Sequence, residues 1–158
     1  MTQHSVDSAE FLTAMRWVAH TVCVVVTDGP AGKHGATVSA FTSVSADPPT
    51  ALVCLHDDSR ISKRVQGNGV YRVYILPEGS ESVADRFAGR HDDKIEDRFI
   101  GFDLDTNAEA TVFDCKLVNA VSAGTHAICV GEVQAIKRGN GMPMAYLAGE
   151  YVSVKKSG

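Results

Sequence analysis

Runs of β-branched and aliphatic residues, rather than helical periodicity, dominate the chain. Residues 21–27, TVCVVVT, are apolar on both alternating faces and too short for an ordinary helix, which predicts a central strand. Asp28-Gly29-Pro30 and Gly32-Lys33-His34-Gly35 supply turn chemistry, so this strand is expected to fold back antiparallel into residues 35–49, GATVSAFTSVSADPP. There Ala36, Val38 and Ala40 alternate with Thr37 and Ser39, the period of a strand with one face in a core and the other offering hydroxyls. The phase slips at Ala40 and Phe41 and restarts through Thr42, Ser43 and Ser45, which predicts a bulge or a strand end. Asp47-Pro48-Pro49 closes the stretch, and a buried strand follows over residues 50–55.

Residues 70–76, VYRVYIL, place Val70, Arg72, Tyr74 and Leu76 on one face and Tyr71, Val73 and Ile75 on the other; Arg72 would suit a solvent-facing edge strand, a phosphate contact or a partner subunit. The last third predicts strands over 111–123, 126–137 and 144–154, forming antiparallel pairs. Helical spacing is confined to short pieces. Phe11, Leu12, Met15, Val18 and Ala19 mark an amphipathic helix over 7–20, with Asp7 and Glu10 in a capping box and Trp17 at the edge of the stripe, facing a packing partner or a second subunit. Ser59 would cap a short helix to about Gln66, with Gly67 as its left-handed stop. Residues 80–98 predict two helices meeting near His91; Val83, Phe87, Ile95 and Phe99 supply anchors, and Asp85, Arg86, Asp92, Asp93, Glu96 and Arg98 a solvated face. Neither a βαβ alternation nor a GxGxxG pattern occurs. The economical architecture is one mainly β domain over residues 1–158, an antiparallel barrel with a few peripheral helices.

Composition narrows the function classes. A chain of 158 residues with 44% hydrophobic and 22% charged residues suffices for one core, and a net charge of −4 without a basic stripe argues against nucleic-acid binding. No apolar run approaches the roughly 18 residues of a membrane span, and MTQHSVDSAEF lacks the basic and apolar regions of a leader, so the expectation is a cytoplasmic protein without membrane association. Cys23, Cys54, Cys115 and Cys129 stand singly in strand-like runs, which predicts free thiols and no metal site. On spacing alone, the serine-threonine stretch suits a half-buried strand as well as a ligand-binding one, and Ser59 and Arg60 suit a plain cap and a surface charge as well as a phosphate site.

Two segments change that balance. GATVSAFTSVSADPPTALVCL resembles the signature run of the short-chain flavin reductases, and VSAGTHAICVGEV, at residues 121–133, resembles that family's glycine, polar residue, His segment and following strand. The likeness extends over nearly the whole chain and is strongest to the reductase components of two-component aromatic monooxygenases, such as those for 4-hydroxyphenylacetate and phenols. It implies an FMN-binding split barrel of Greek-key type, paired as a homodimer. It also implies an NAD(P)H:flavin oxidoreductase that takes NADH or NADPH, reduces FMN or FAD, and feeds reduced flavin by diffusion to a separate monooxygenase.

The resemblance further implies that Ala36, Thr37, Val38, Ser39, Ser43 and Ser59 grip the flavin, with Arg60 near its phosphate. Arg86, Phe87 and Ala88, in a segment like the family's RFAG, and Tyr151 near the C-terminus would adjoin it. His126 is placed at the flavin and nicotinamide site; its ordinary pKa near 6.5 suits a neutral donor or a cation beside developing negative charge. Asp57 and Asp58, where the family more often has an uncharged or basic residue, and Tyr74, where it often has Asn, depart from the pattern. They leave open a flavin-binding module without turnover. An enzyme that retains its flavin to oxidise an organic substrate is the third alternative.

Overall fold

The apolar run at residues 21–27 forms two strands, β1 (His20–Thr21) and β2 (Cys23–Thr27), in the computed structural model, which describes residues 5–158. The break falls at Val22, whose N–H donates to the Met144 carbonyl (3.2 Å) while its carbonyl accepts from the Leu76 N–H (3.0 Å). β1 joins β9 (Met144–Leu147) and β10 (Glu150–Ser153) in a three-stranded antiparallel sheet. β2 enters a seven-stranded antiparallel sheet ordered β3-β2-β6-β7-β8-β5-β4. Its members are β3 (His34–Val38), β4 (Phe41–Ala46), β5 (Pro49–His56), β6 (Val70–Ile75), β7 (Thr111–Ala123) and β8 (His126–Lys137). The expected final strand over 144–154 is thus two strands, because Ala148 and Gly149 turn the chain with φ of 52° and 84°.

β2 is apolar throughout because each of its faces meets a core. Cys23 and Val25 pack with Val53, Leu55, Tyr71, Val73, Cys115 and Cys129; Val24 packs with Val22, Tyr74, Leu76, Phe87, Val112 and Met144. β6 shares both cores and lies between β2 and β7, so Arg72 is on an interior strand, contrary to the edge position allowed by the sequence. Its guanidinium is held by Asp114 and by Asp105 (3.0 Å). The four thiols are free, and desolvation pushes Cys23 up to about 12 and Cys115 and Cys129 up to about 11.

The helices differ more from expectation. α1 spans only Ser8–Met15; Asp7 caps it by accepting from the Glu10 N–H (2.9 Å). It buries no residue, leaving Phe11, Leu12 and Trp17 exposed. α2 (Arg60–Asn68) is capped by Ser59 and stops at Gly69 (φ 72°), two residues beyond the predicted Gly67. α3 (Glu81–Phe87) forms, but its expected companion over the DDKIEDRF segment is a series of turns. Arg98 explains that correction. Rather than facing solvent, its side chain is mostly buried and donates to the carbonyls of Gly35 (2.9 Å) and Phe87 (3.0 Å) and to Asp92 (2.7 Å), pulling the segment onto β3. Among the described residues no helix is long and apolar enough to cross a membrane.

Gly35 makes this closure sterically feasible. A Cβ there would lie 2.8 Å from the Phe87 ring, which is fully buried and cannot withdraw. Gly35→Ala is therefore expected to destabilise the fold by about 1–3 kcal/mol through overpacking. A urea midpoint equal to the parent's would show that the ring repacks without cost.

Candidate functional site

The serine-threonine stretch does not run as one strand. Its first half, β3, pairs with β2 at one end of the large sheet, and its second half, β4, pairs with β5 at the other end. Ser39 and Ala40 bridge the two, and the Ala40 carbonyl accepts from the Cys54 N–H (3.0 Å). Both sequence signals for a break are realised, since a further register shift falls between Ser43 and Ser45. The result is an open rim. β3 and β4 each have one strand neighbour, Ser39 and Ala40 are exposed, and β4 beyond Phe41 is exposed throughout. Strand edges offer backbone donors and acceptors, here beside small side chains that do not block approach.

Alternation assigns the side chains of β3. Ala36 and Val38 pack against the core, so a ligand at this edge would meet their backbone. Thr37 points the other way, but its hydroxyl donates to the Ala84 carbonyl (2.6 Å) and ties β3 to α3. The hydroxyls expected to line one face are thus divided: Thr37 is committed to the fold, while Ser39 and Ser43 stand exposed on the rim.

The same rim receives the start of α2 and of β8. The Ser59 hydroxyl accepts from the Ser62 N–H (3.2 Å) and donates to the His56 carbonyl (2.6 Å), fixing the helix start at the end of β5. His56 pairs across the ladder with His126, and the Asp57 N–H donates to the Thr125 carbonyl (2.9 Å). Ser59, His126 and the Ser39–Ala40 bridge therefore converge on the end of β5. The Nδ1 atom of His126 lies 2.9 Å from the Thr125 hydroxyl, which leaves Nε2 as the nitrogen available to a ligand.

Beyond the rim, α2, β3 and residues 92–99 enclose a cleft of about 490 Å³ lined by Lys33, His34, Arg60, Arg64, Arg98 and three carboxylates. Asp92 is engaged by Arg98, which holds its carboxyl below the usual range, and Asp97 accepts from the Phe99 N–H (2.9 Å). Arg60 and Arg64 have no carboxylate partner among the described residues. Arg64 instead donates to the Lys33 carbonyl (2.6 Å). Burial, followed by Arg98, Arg64 and Arg60, pushes His34 down to about 4, so its imidazole adds no charge to the cleft at neutral pH. Such a cleft suits a phosphate.

Residues 15–155 match the family model described as flavin reductase like domain. The chain belongs to this flavin reductase family. It is 34% identical over 159 residues to the FMN reductase (NADH) RutF of Ancylobacter novellus, covering 95% of this chain and 87% of that one. The flavin reductase PheA2 superposes with a TM-score of 0.82 at 27% identity, over 96% of this chain and all of the other. BorF, the flavin reductase component of a bacterial two-component tryptophan halogenase, does so with a TM-score of 0.81 at 26% identity and the same coverage.

The residues of this flavin reductase fit the cofactor its family implies. The exposed rim has backbone groups and hydroxyls that would suit the edge of a planar ring, and Ser59 with Arg60 and Arg64, which lack a carboxylate partner among the described residues, would suit a phosphate. Of the four other expected residues, Phe87, Arg86 and Tyr151 are engaged within the fold. Phe87 is fully buried beneath Gly35, so it shapes the wall from behind; Ala88 is the exposed C-cap of α3. Arg86 donates to the Ile100 carbonyl (2.8 Å) and lies over the Phe102 ring, which commits it to the neighbouring loop. Tyr151, on β10, donates to Asp85 on α3 (2.8 Å) and packs on Tyr146. Arg64 and His56 were not singled out from sequence. Arg64 was legible, four residues after Arg60 and therefore on the same helix face. His56 required the strand register.

Proposed function

We propose that this flavin reductase uses NADH to reduce FMN or FAD and releases reduced flavin to a separate oxygenating or halogenating component. The observation that carries the reading is the convergence of Ser39, Ser59 and His126 on one open rim beside an electropositive cleft. The flavin supplies the hydride-accepting chemistry when bound. This chain's residues bind and orient. Ser39, Ser43 and the backbone of residues 36–39 hold the ring edge, and Ser59, Arg60 and Arg64 hold the phosphate. His126 presents Nε2 toward the reacting face, where it donates a hydrogen bond or places a positive charge beside developing negative charge.

A flavin that leaves after each cycle is held at about micromolar strength, or roughly 8 kcal/mol. The decisive assay follows nicotinamide absorbance with FMN, FAD or no flavin, for NADH and NADPH separately. Turnover that requires added flavin and saturates with it is the expected result. Flavin binding without turnover would instead identify a carrier or sensor module.

The large sheet is read as a split barrel, since its end strands β3 and β4 are consecutive in sequence and Ala40, in the link between them, accepts from the Cys54 N–H of β5. A homodimer is proposed on the exposed apolar residues Val44 of β4, Val118 and Val121 of β7, Phe11 and Leu12 of α1, and Trp17 just beyond that helix. The cytoplasm, with its nicotinamide pool, is the compartment proposed for the reaction.

A further inference from the structure

His56 and His126 face each other across β5 and β8, with ring centroids 5.3 Å apart and planes at 66°. Different kinds of group hold the two rings. The Asp58 backbone N–H donates to Nδ1 of His56 (3.2 Å). An amide N–H can only donate, so this bond exists only while Nδ1 keeps its lone pair, that is, while His56 is neutral with its proton on Nε2. The Nδ1 atom of His126 meets the Thr125 hydroxyl instead, which rotates to donate to a lone pair or to accept from N–H. His126 can therefore gain a proton without losing its partner, whereas His56 cannot.

The surrounding backbone prevents the Asp58 amide from turning aside cheaply. Ser59 donates to the His56 carbonyl from both its N–H (3.0 Å) and its hydroxyl (2.6 Å), and the Asp57 N–H is bonded to Thr125 (2.9 Å). The titratable and charged neighbours are Asp57, Asp58 and Arg60 of the β5–α2 turn and the Cys54 thiol two residues back on β5. Ala123 of β7, paired with His126, and Ser39 and Ala40 on the rim carry none.

We propose that His56 is a positioning residue for His126: it is held as the Nε2–H tautomer, and its ring sets the angle of the His126 ring. This rests on the placement of His126 at the reacting face.

The test is a ¹H–¹⁵N correlation spectrum of the histidine rings in the full chain, which reads the state of each ring nitrogen. His56→Asn and His126→Asn variants assign the signals. The expected result is a lone-pair Nδ1 and a protonated Nε2 on His56. Assayed in parallel, His56→Ala is expected to lower kcat about tenfold, the scale of losing an orienting partner, with the flavin KM within about twofold. His56→Phe, which keeps a ring there, should recover most of kcat.

An Nδ1–H tautomer on His56 or a parental kcat in His56→Ala would overturn the proposal. Should His126→Asn turn over at the parental rate, the functional reading of His126 falls. The tautomer, read from the same samples without any assay, then still decides how the pair is built.

Discussion

Replacing His126 with Ala is expected to lower NADH oxidation about a hundredfold while the flavin KM changes by less than about threefold, the pattern of a group that acts mainly in the transition state. His126 is exposed at the first position of β8, so truncation leaves no cavity and should not unfold the chain. Its ring is held on one side by the Thr125 hydroxyl (2.9 Å) and flanked by His56, which leaves one nitrogen for the ligand. If the imidazole only lined the pocket, KM would rise and kcat would stay. Steady-state rates at saturating flavin separate these outcomes, and equal rates in variant and parent would remove His126 from the mechanism.

The second large effect is expected from Ser39→Trp, which should weaken flavin binding more than about a hundredfold, equivalent to about 2.7 kcal/mol or more. Ser39 lies between β3 and β4, is exposed, and has no side-chain hydrogen bond among those formed by its neighbours in the stretch. An indole there would occupy the rim between Ser59 and the strand edge without entering either core. Fluorescence titration with FMN measures the affinity, and an unchanged urea midpoint shows that the fold survives. Unchanged affinity would place the ring elsewhere, with the groove beside Arg72, Tyr74 and Asp105 as the next surface to examine.

Strands were the most legible feature. β7 and β8 begin and end where alternation and the Gly124 turn predict, and β2 and β6 reach two cores because their sequences are apolar in both phases. Turns and caps were legible where the deciding group is local: Asp7 and Ser59 each satisfy an amide three residues on. Residues 88–99 were not. DDKIEDRF has helical charge spacing, yet Arg98 finds better partners in the carbonyls of β3 and α3 than a solvated helix face could offer, and the segment folds around it.

The candidate site divides in the same way. The serine-threonine stretch, Ser59, Arg60 and His126 are marked by residue type and by resemblance, because binding a planar ring and a phosphate requires small hydroxyl residues, a helix start and fixed charge. Whether each side chain is free for that work depends on what packs behind it. Thr37 looked like Ser39 in the pattern, but α3 takes its hydroxyl; Phe87, read as a core anchor from spacing and as a flavin neighbour from resemblance, is fully buried beneath Gly35.

The sequence by itself determined the mainly β class, most of the strand positions and the chemistry available along residues 35–60, because alternation, turns and caps depend on neighbours a few residues away. Tertiary structure alone decided that β3 and β4 lie at opposite ends of one sheet, that Arg98 closes the wall, and that His56 faces His126. Those outcomes depend on strand order and register, which bring together groups separated by tens of residues, and nothing in the local pattern of either partner encodes the other.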